Sequence, residues 1–120
     1  MVVQKTMKID KGLLAGSTTM LILRLLEICD MYGYQMIEQM EKQSGNVFSL
    51  RAGTLYPLLH GLERQGMITS YDIEEGCIRP RKYYQITQSG KQMLDSKRAE
   101  WTAYVTAVGR VMGRAVHIMA

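Results

Sequence analysis

The side chains best suited to binding chemistry begin in the stretch GTLYPLLHGLERQG, residues 53–66. Leucines recur at i, i+3, i+4 and i+7, the spacing of one apolar helical face: Leu55, Leu58, Leu59 and Leu62. The opposite face carries Thr54, Tyr56, Pro57, His60, Gly61 and Arg64. Hydroxyl, imidazole and guanidinium groups are donors that bind phosphate oxygens, so this face predicts a surface for a polyanion.

The proline inside this helix needs an explanation. An interior proline removes a backbone hydrogen bond and clashes with the carbonyl four residues earlier, at a cost of ~3 kcal/mol. Here that carbonyl belongs to Gly53, whose backbone can shift because it carries no side chain. Pro57 therefore predicts a bent or late-starting helix whose N-terminal end, next to Arg51, presents N–H groups and a positive dipole to phosphate. The alternative is a tolerated early-turn proline, with Tyr56 as a packing residue.

Positive charge is concentrated in one segment. The chain has a net charge of +4, but residues 76–98 alone hold six Lys or Arg against one Asp. Arg79, Arg81 and Lys82 surround Pro80 in a turn, so they must protrude. A protruding basic turn is typical of a wing that reaches the minor groove or the flanking backbone of DNA. A plain solvated turn is the alternative.

The 120-residue sequence does not indicate an enzyme, a metal-binding protein or a membrane protein. The sequence shows no Ser/His/Asp or Cys/His set, no paired carboxylates and no phosphate-binding glycine loop, so we expect neither an enzyme nor a cofactor. Two cysteines, and histidines without ligand partners nearby, predict no metal site. We see no signal peptide, and arginines interrupt the apolar runs, so we expect a cytoplasmic protein without a membrane span.

Three helices are predicted in the first half of the chain. Apolar residues with a 3.6-residue period indicate the first over residues 13–29; a later start, capped by Ser17 or Thr18, is the alternative. The second covers residues 33–43, and Gly45 ends it. An extended connector, VFSL, precedes the third, over residues 52–65.

A β-hairpin is predicted next, because the sequence changes to β-branched and aromatic residues. MITSYDI and RKYYQIT are separated by the turn-forming stretch EEGCIRP. Along the second strand Tyr84 and Ile86 share one face, while Arg81, Tyr83 and Gln85 share the other.

A long helix is predicted from residue 88 to near the end, with Thr87 as its N-cap. Some 30 residues at ~1.5 Å each span roughly 45 Å, more than a domain of this size can cover. Apolar residues recur along it with heptad-like steps. They define a predicted dimer interface of Leu94, Trp101, Val105, Val108 and Met112. We therefore divide the chain into a DNA-binding domain, residues 1–87, and a dimerisation helix, residues 88–120.

Three helices followed by a basic hairpin predict a winged helix-turn-helix, a mainly α fold with a small β-hairpin. In helix-turn-helix proteins the second helix of the motif enters the major groove while phosphate contacts orient it. Here the helix pair is 33–43 and 52–65, and the hairpin is the wing. Tyr34 and Gln35 begin the first helix of the pair, where they are placed to touch phosphate; the alternative for Tyr34 is a core position.

The segments YGYQMIEQM, GTLYPLLHGLERQGMI and RPRKYYQITQSGKQML resemble the PadR family of transcriptional regulators. The resemblance runs from about Lys11 to Trp101, and the single long helix after the wing is similar to the smaller PadR subfamily. It implies a homodimeric repressor that small aromatic or hydrophobic effectors release from DNA. Two positions depart from the family pattern: Arg51 stands where a capping Ser, Thr or Asn is usual, and Ile78 replaces a glycine of the wing turn.

Trp101, the only tryptophan, lies eleven residues after Gly90, which resembles small PadR members whose paired tryptophans accept flat aromatic molecules. With Met93 and Val105 it forms the predicted effector site; a dimer core without a ligand is the alternative. We expect a sequence-specific, ligand-responsive repressor that acts as a homodimer on a palindrome-like operator. The competing function is a winged-helix protein-interaction module that does not bind DNA.

Overall fold

The computed structural model of the protein describes residues 9–74 and 80–113. These ranges contain five helices and three strands, which confirms the predicted mainly helical fold with a wing and a long final helix. None of the helices within them is long and apolar enough to cross a bilayer. The same residues contain no group of His, Cys, Asp or Glu side chains arranged as metal ligands.

The first helical segment is two helices rather than one. Helix α1 spans Lys11–Ala15 and helix α2 spans Thr18–Ile28, so one continuous helix over residues 13–29 is wrong. The alternative of a later start is confirmed, since Ser17 occupies the N-cap position of α2. The hydroxyl groups of Ser17 and Thr18 both donate to the Leu14 carbonyl, at 3.2 and 2.7 Å. Side-chain hydrogen bonds of this kind compete with the helical ladder, so the chain breaks where they form.

The predicted helix pair is present. Helix α3 spans Gly33–Gln43, as predicted, and helix α4 spans Ala52–Arg64. Helix α4 continues unbroken through Pro57, so a late start caused by the proline is wrong. A side chain added at Gly53 would meet nothing within 4 Å, so neighbouring residues do not require a glycine at this position. Gly66, with φ of 76°, turns the chain into the hairpin.

The sheet has one more strand than the sequence predicts. Strands β2 (Ile68–Ile73) and β3 (Arg81–Ile86) form the predicted antiparallel hairpin. Strand β1 (Met31–Tyr32) pairs with the other edge of β3, which gives the order β1-β3-β2. Tyr84 is buried while Tyr83 lies on the opposite face, as the alternation predicts.

Helix α5 spans Gln88–Met112. Thr87 caps it as predicted, since its hydroxyl oxygen accepts the Gly90 N–H at 3.0 Å. A Cβ at Gly90 would lie 2.1 Å from the Met67 carbonyl oxygen, so only glycine lets α5 approach the start of the hairpin this closely. Most residues of α5 from Trp101 onward are exposed, so its second half extends past the core.

One predicted interface residue belongs to the core. The completely buried side chains come from α2, α3, α4, the sheet and the start of α5: Ile22, Leu23, Met36, Leu55, Leu59 and Leu94 have no exposed surface. The assignment of Leu94 to the dimer interface is therefore wrong, because its own subunit already covers it. An apolar stripe identifies a buried face but does not say which neighbour buries it.

An ion-pair cluster joins α5 to α2. The Arg98 guanidinium lies 2.5 Å from Glu27 Oε1, and Arg24 donates to the same oxygen at 2.6 Å. The hydrogen bond from Arg98 is the main cause that lowers the pKa of Glu27 below its ordinary value. A lowered pKa in the folded state means that the pair stabilises the fold at neutral pH, and that this contribution is lost as the pH falls through the lowered pKa.

We expect Glu27→Gln to lower the melting temperature at neutral pH by about 2–4 °C, because a partly exposed ion pair contributes at most ~1 kcal/mol. In acid the difference from the wild type should close, since Glu27 is then protonated in the folded and the unfolded chain. Thermal unfolding followed by circular dichroism at several pH values measures this. Glu38→Gln, on the exposed side of α3, is the matched control. A difference that does not depend on pH would contradict the ion-pair assignment.

Candidate nucleic-acid interface

A cleft of about 780 Å³ opens between the start of α3, helix α4 and strand β3. Five predicted side chains from three separate segments line it: Tyr34, Tyr56, His60, Arg81 and Lys82. Among the described residues two permanent cations and no carboxylate line the cleft, so its charge favours an anion.

Tyr56 is held in the cleft by a glycine. A Cβ added at Gly33 would lie 2.2 Å from the Tyr56 hydroxyl oxygen, so the hydroxyl rests against the backbone of the first turn of α3. The Tyr56 ring is half-buried and packs against the core, while part of it lines the cleft. Tyr56 is therefore a packing residue that also lines the cleft, and its contact with DNA stays a prediction.

Tyr34 and Gln35 differ in their surroundings. Tyr34 is 65% exposed, so the alternative of a core position is wrong. Gln35 does not line the cleft; its side-chain oxygen accepts the Tyr32 N–H at 3.2 Å and thereby caps α3. Because the side-chain oxygen is used in this way, the predicted phosphate contact of Gln35 would have to be made by its side-chain NH2 group.

The solvent face of α4 carries the remaining predicted residues in one strip beside the cleft. Thr54, Pro57, His60 and Arg64 are all exposed, and His60 belongs to both the strip and the cleft. Arg51 is exposed at the N-cap of α4 and makes no side-chain capping hydrogen bond, as its departure from the usual capping residues predicts.

The wing places Arg81 over an aromatic ring. The Arg81 guanidinium carbon lies 4.6 Å from the centroid of the Tyr32 ring, within the range of a cation–π interaction. Tyr83 meets the same ring edge-on at 5.4 Å between centroids. Lys82 is exposed beside them. Arg79 and Ile78, the other wing positions singled out, lie outside the described residues.

A second, mainly apolar cavity of about 600 Å³ lies between α1, α2 and α5. Its side chains include Leu13, Met20, Phe48, Trp101 and Tyr104, with Lys97 and Glu100 at polar positions. Of the predicted effector site only Trp101 lines it. Met93 packs against the core instead, and Val105 is half-buried elsewhere on α5.

The exposed end of α5 presents an apolar face. Trp101 is 45% exposed, Val108 40% and Met112 70%; all three are predicted interface positions, and their place in an interface stays a prediction. Tyr104 and Val111, which the sequence analysis did not single out, are also exposed large apolar residues of α5, at 58% and 87%. Tyr104 lies three residues after Trp101, and Val111 lies three residues after Val108. Residues three or four apart are neighbours on a helix surface, so this spacing is the sequence signal for both.

Four cleft residues were also missed: Tyr32, Gly33, Pro80 and Tyr84. The sequence signal for two of them was the YGY stretch, in which a glycine between tyrosines begins α3. The position of Tyr84 depends on the pairing of β3 with β1, which local sequence does not reveal.

A helix pair followed by a hairpin whose cations open onto the cleft beside the second helix defines a winged helix-turn-helix, a class of DNA-binding protein. Comparison with known families refines this class. Residues 22–96 match the transcriptional regulator PadR-like family, and the chain belongs to that family. It is therefore a transcriptional regulator that acts through DNA, and not an enzyme, as predicted.

Individual relatives agree with the family. The chain is 34% identical over 95 residues to an uncharacterized protein of Lysinibacillus sphaericus, covering 78% of this chain and 85% of that one. It is 33% identical over 73 residues to the negative transcriptional regulator PadR of Bacillus subtilis, covering 61% of this chain but only 40% of that protein. The crystal structure of a PadR family transcriptional regulator from Eggerthella lenta superposes with a TM-score of 0.76 at 33% identity, covering 84% and 86% of the two chains.

Proposed function

We propose that this protein is a cytoplasmic, ligand-responsive repressor that binds a palindrome-like operator as a homodimer. The main support for DNA binding is the cleft, which is lined by Arg81 and Lys82 of the wing together with Tyr34, Tyr56 and His60. A strand of the DNA backbone fits a groove lined by cations and hydroxyl donors. The strip of α4 beside the cleft then enters the major groove.

A second copy of the chain is the partner for the apolar face of α5. Trp101, Val108 and Met112 are large, exposed and on one face of a helix that extends past its own core. Exposed apolar surface of this kind is typical of an interaction site. A twofold dimer formed there presents two α4 helices to one side, which is the geometry that a palindrome-like operator requires.

Repression rather than activation is proposed by analogy with a relative. The Bacillus subtilis protein named above is a negative transcriptional regulator. Repression by this chain is consistent with a compact dimer that occupies a promoter and excludes other proteins from it.

An effector is proposed for the cavity beside Trp101. Its volume of about 600 Å³ is within the usual range for small-molecule sites, and its wall is largely apolar and aromatic. A flat hydrophobic or aromatic compound can stack on the exposed indole and contact Tyr104, which lies 6.2 Å from it between ring centroids. Because Trp101 also belongs to the apolar face of α5, such a ligand reaches the dimer interface.

We expect some planar aromatic compounds to quench the fluorescence of Trp101 at micromolar concentration and to weaken operator binding about tenfold, which needs ~1.4 kcal/mol of preference for the DNA-incompetent form. In the Trp101→Ala variant the same compounds should no longer weaken operator binding. Met93→Leu should respond like the wild type, because Met93 does not line the cavity. Quenching without any change in operator affinity would contradict the proposed effector role, and if no compound quenches the fluorescence, Trp101 is a dimer-core residue instead.

The proposed function is tested by fluorescence anisotropy with labelled duplexes that tile the promoter region of the chain's own gene. We expect one duplex to bind at least about 1,000-fold more tightly than an unrelated duplex, with an affinity that falls as salt is raised. The competing function, a protein-interaction module, predicts no preference among duplexes and no tight binding to any of them.

A further inference from the structure

We infer that Tyr32 is a positioning residue for DNA binding, whose ring holds the Arg81 guanidinium of the wing in place above the cleft beside α4. The inference rests on the proposed function, because it assumes that Arg81 contacts DNA. It assigns a role to Tyr32, which the sequence does not predict to be a site residue.

The contact between the two side chains is direct. The Arg81 guanidinium carbon lies 4.6 Å from the Tyr32 ring centroid. Arg81 is otherwise an exposed side chain at the start of β3, and a free arginine loses several rotatable bonds of freedom when it binds. Stacking on the ring removes part of that loss before DNA arrives, so the arginine binds from a prepared position.

Tyr32 is itself fixed at both its backbone and its ring. Its N–H donates to Gln35 Oε1 at 3.2 Å, and its backbone pairs with Tyr83 across the β1–β3 ladder. The Tyr83 ring meets the Tyr32 ring at 5.4 Å and an angle of 72°. The backbone of Tyr32 is thus fixed by α3 and by β3, and its ring is supported by the Tyr83 ring, which makes it a platform for a cation.

A row of contacts continues from this platform across the outer face of the sheet. Tyr71 of β2 stacks on Tyr83, with 5.9 Å between the ring centroids and 16° between the ring planes. The Tyr71 hydroxyl donates to Asp30 at 2.6 Å, and this hydrogen bond is the main cause that raises the pKa of Tyr71 to about 12. This hydrogen bond ties the wing to the segment just before β1.

The wing and α4 both contact the chain at the start of α3. Gly33, the neighbour of Tyr32, is the residue against which Tyr56 of α4 rests. The distance between α4 and the Arg81 cation is thus set by two adjacent residues, Tyr32 and Gly33. A loose wing would have to find this spacing during each encounter with DNA.

The test is a double-mutant cycle on operator affinity, with unfolding curves for each variant. We expect Arg81→Ala to weaken binding about tenfold, and Tyr32→Leu to weaken it about threefold in the wild-type background but not further in the Arg81→Ala background. Tyr32→Phe keeps the ring and should bind like the wild type. If Tyr32 supports only the fold, Tyr32→Leu should instead weaken operator binding by the same factor in both backgrounds.

Arg81→Lys is a second test of the positioning role. It changes an exposed residue, so the role can still be contradicted if Tyr32→Leu does not fold. Lysine keeps the charge but loses the planar stacking group, so we expect about threefold weaker binding. Wild-type affinity in Arg81→Lys, or additive effects in the cycle, would overturn the positioning role while leaving the proposed function intact. Unchanged affinity in Arg81→Ala would overturn both the positioning role and the placement of the wing on DNA.

Discussion

The substitution Val108→Asp should dissociate the homodimer and weaken operator binding by at least about 100-fold, which corresponds to ~2.7 kcal/mol. Val108 is 40% exposed on the apolar face of α5, between Trp101 and Met112. In a twofold dimer each aspartate would be buried without a partner, and an uncompensated buried charge is strongly destabilising. A monomer presents only one α4 to the DNA, so it loses the second half-site and most of the affinity.

Analytical ultracentrifugation at micromolar concentration measures the dissociation. The wild type should sediment at twice 13.7 kDa, and Val108→Asp at 13.7 kDa. Ala103→Asp is the matched control, because it introduces the same carboxylate at an exposed position of the same helix, away from the Trp101–Val108 face. A monomeric wild type, or a dimeric Val108→Asp, would remove α5 from the proposed interface.

The double variant Arg81→Ala/Lys82→Ala should weaken binding to every duplex by a similar factor, about 10- to 100-fold at moderate salt. Both side chains are exposed and line the cleft, where phosphate is their proposed partner. Phosphate contacts carry no base information, so the preference for the operator over other duplexes should be almost unchanged. The slope of log affinity against log salt should become shallower by up to ~4, since a dimer loses four contacts.

Fluorescence anisotropy across a salt series measures both quantities. The control variant Lys91→Ala/Arg110→Ala removes the same charge from exposed positions of α5 outside the cleft. It should leave the salt slope close to that of the wild type. A change in base preference for the wing variant would show that the wing contacts bases rather than the backbone.

Local signals in the sequence predict most of the helices and the hairpin. The bounds of α3 follow from Gly33 and the stop at Gly45, and the end of α4 is predicted to within one residue, because the positive φ of Gly66 terminates it. The hairpin follows from two β-branched and aromatic runs around a turn. In each case the deciding interaction is made by residues close together in the chain.

Features that depend on distant neighbours were not predicted. Strand β1 is two residues long and exists because Met31 and Tyr32 pair with β3, some fifty residues later. The same pairing brings Tyr32 beside Arg81, and both residues line the cleft. The prediction of Leu94 at the dimer interface is wrong because a periodic stripe does not distinguish the subunit's own core from a partner.

The proposed effector site likewise combines residues that are predictable from local sequence with residues that are not. Trp101 is recognisable as a large exposed ring on α5, and the structure places it in a cavity. Met93 is close to it in sequence but faces the core, because its direction depends on how α5 packs on the rest of the domain. The opposite wall, with Leu13 and Phe48, comes from segments more than fifty residues away.

Hydroxyl-radical footprinting of the wild-type protein on its own promoter region tests the central proposal, an operator-binding dimer, most directly. We predict two protected half-sites related by a twofold axis, with centres about 10 bp or a multiple of it apart, because the dimer presents two copies of α4. The protection should disappear with Val108→Asp and persist with Ala103→Asp. A single unsymmetric protected segment, or no protection at concentrations where the wild type is a dimer, would contradict the proposal.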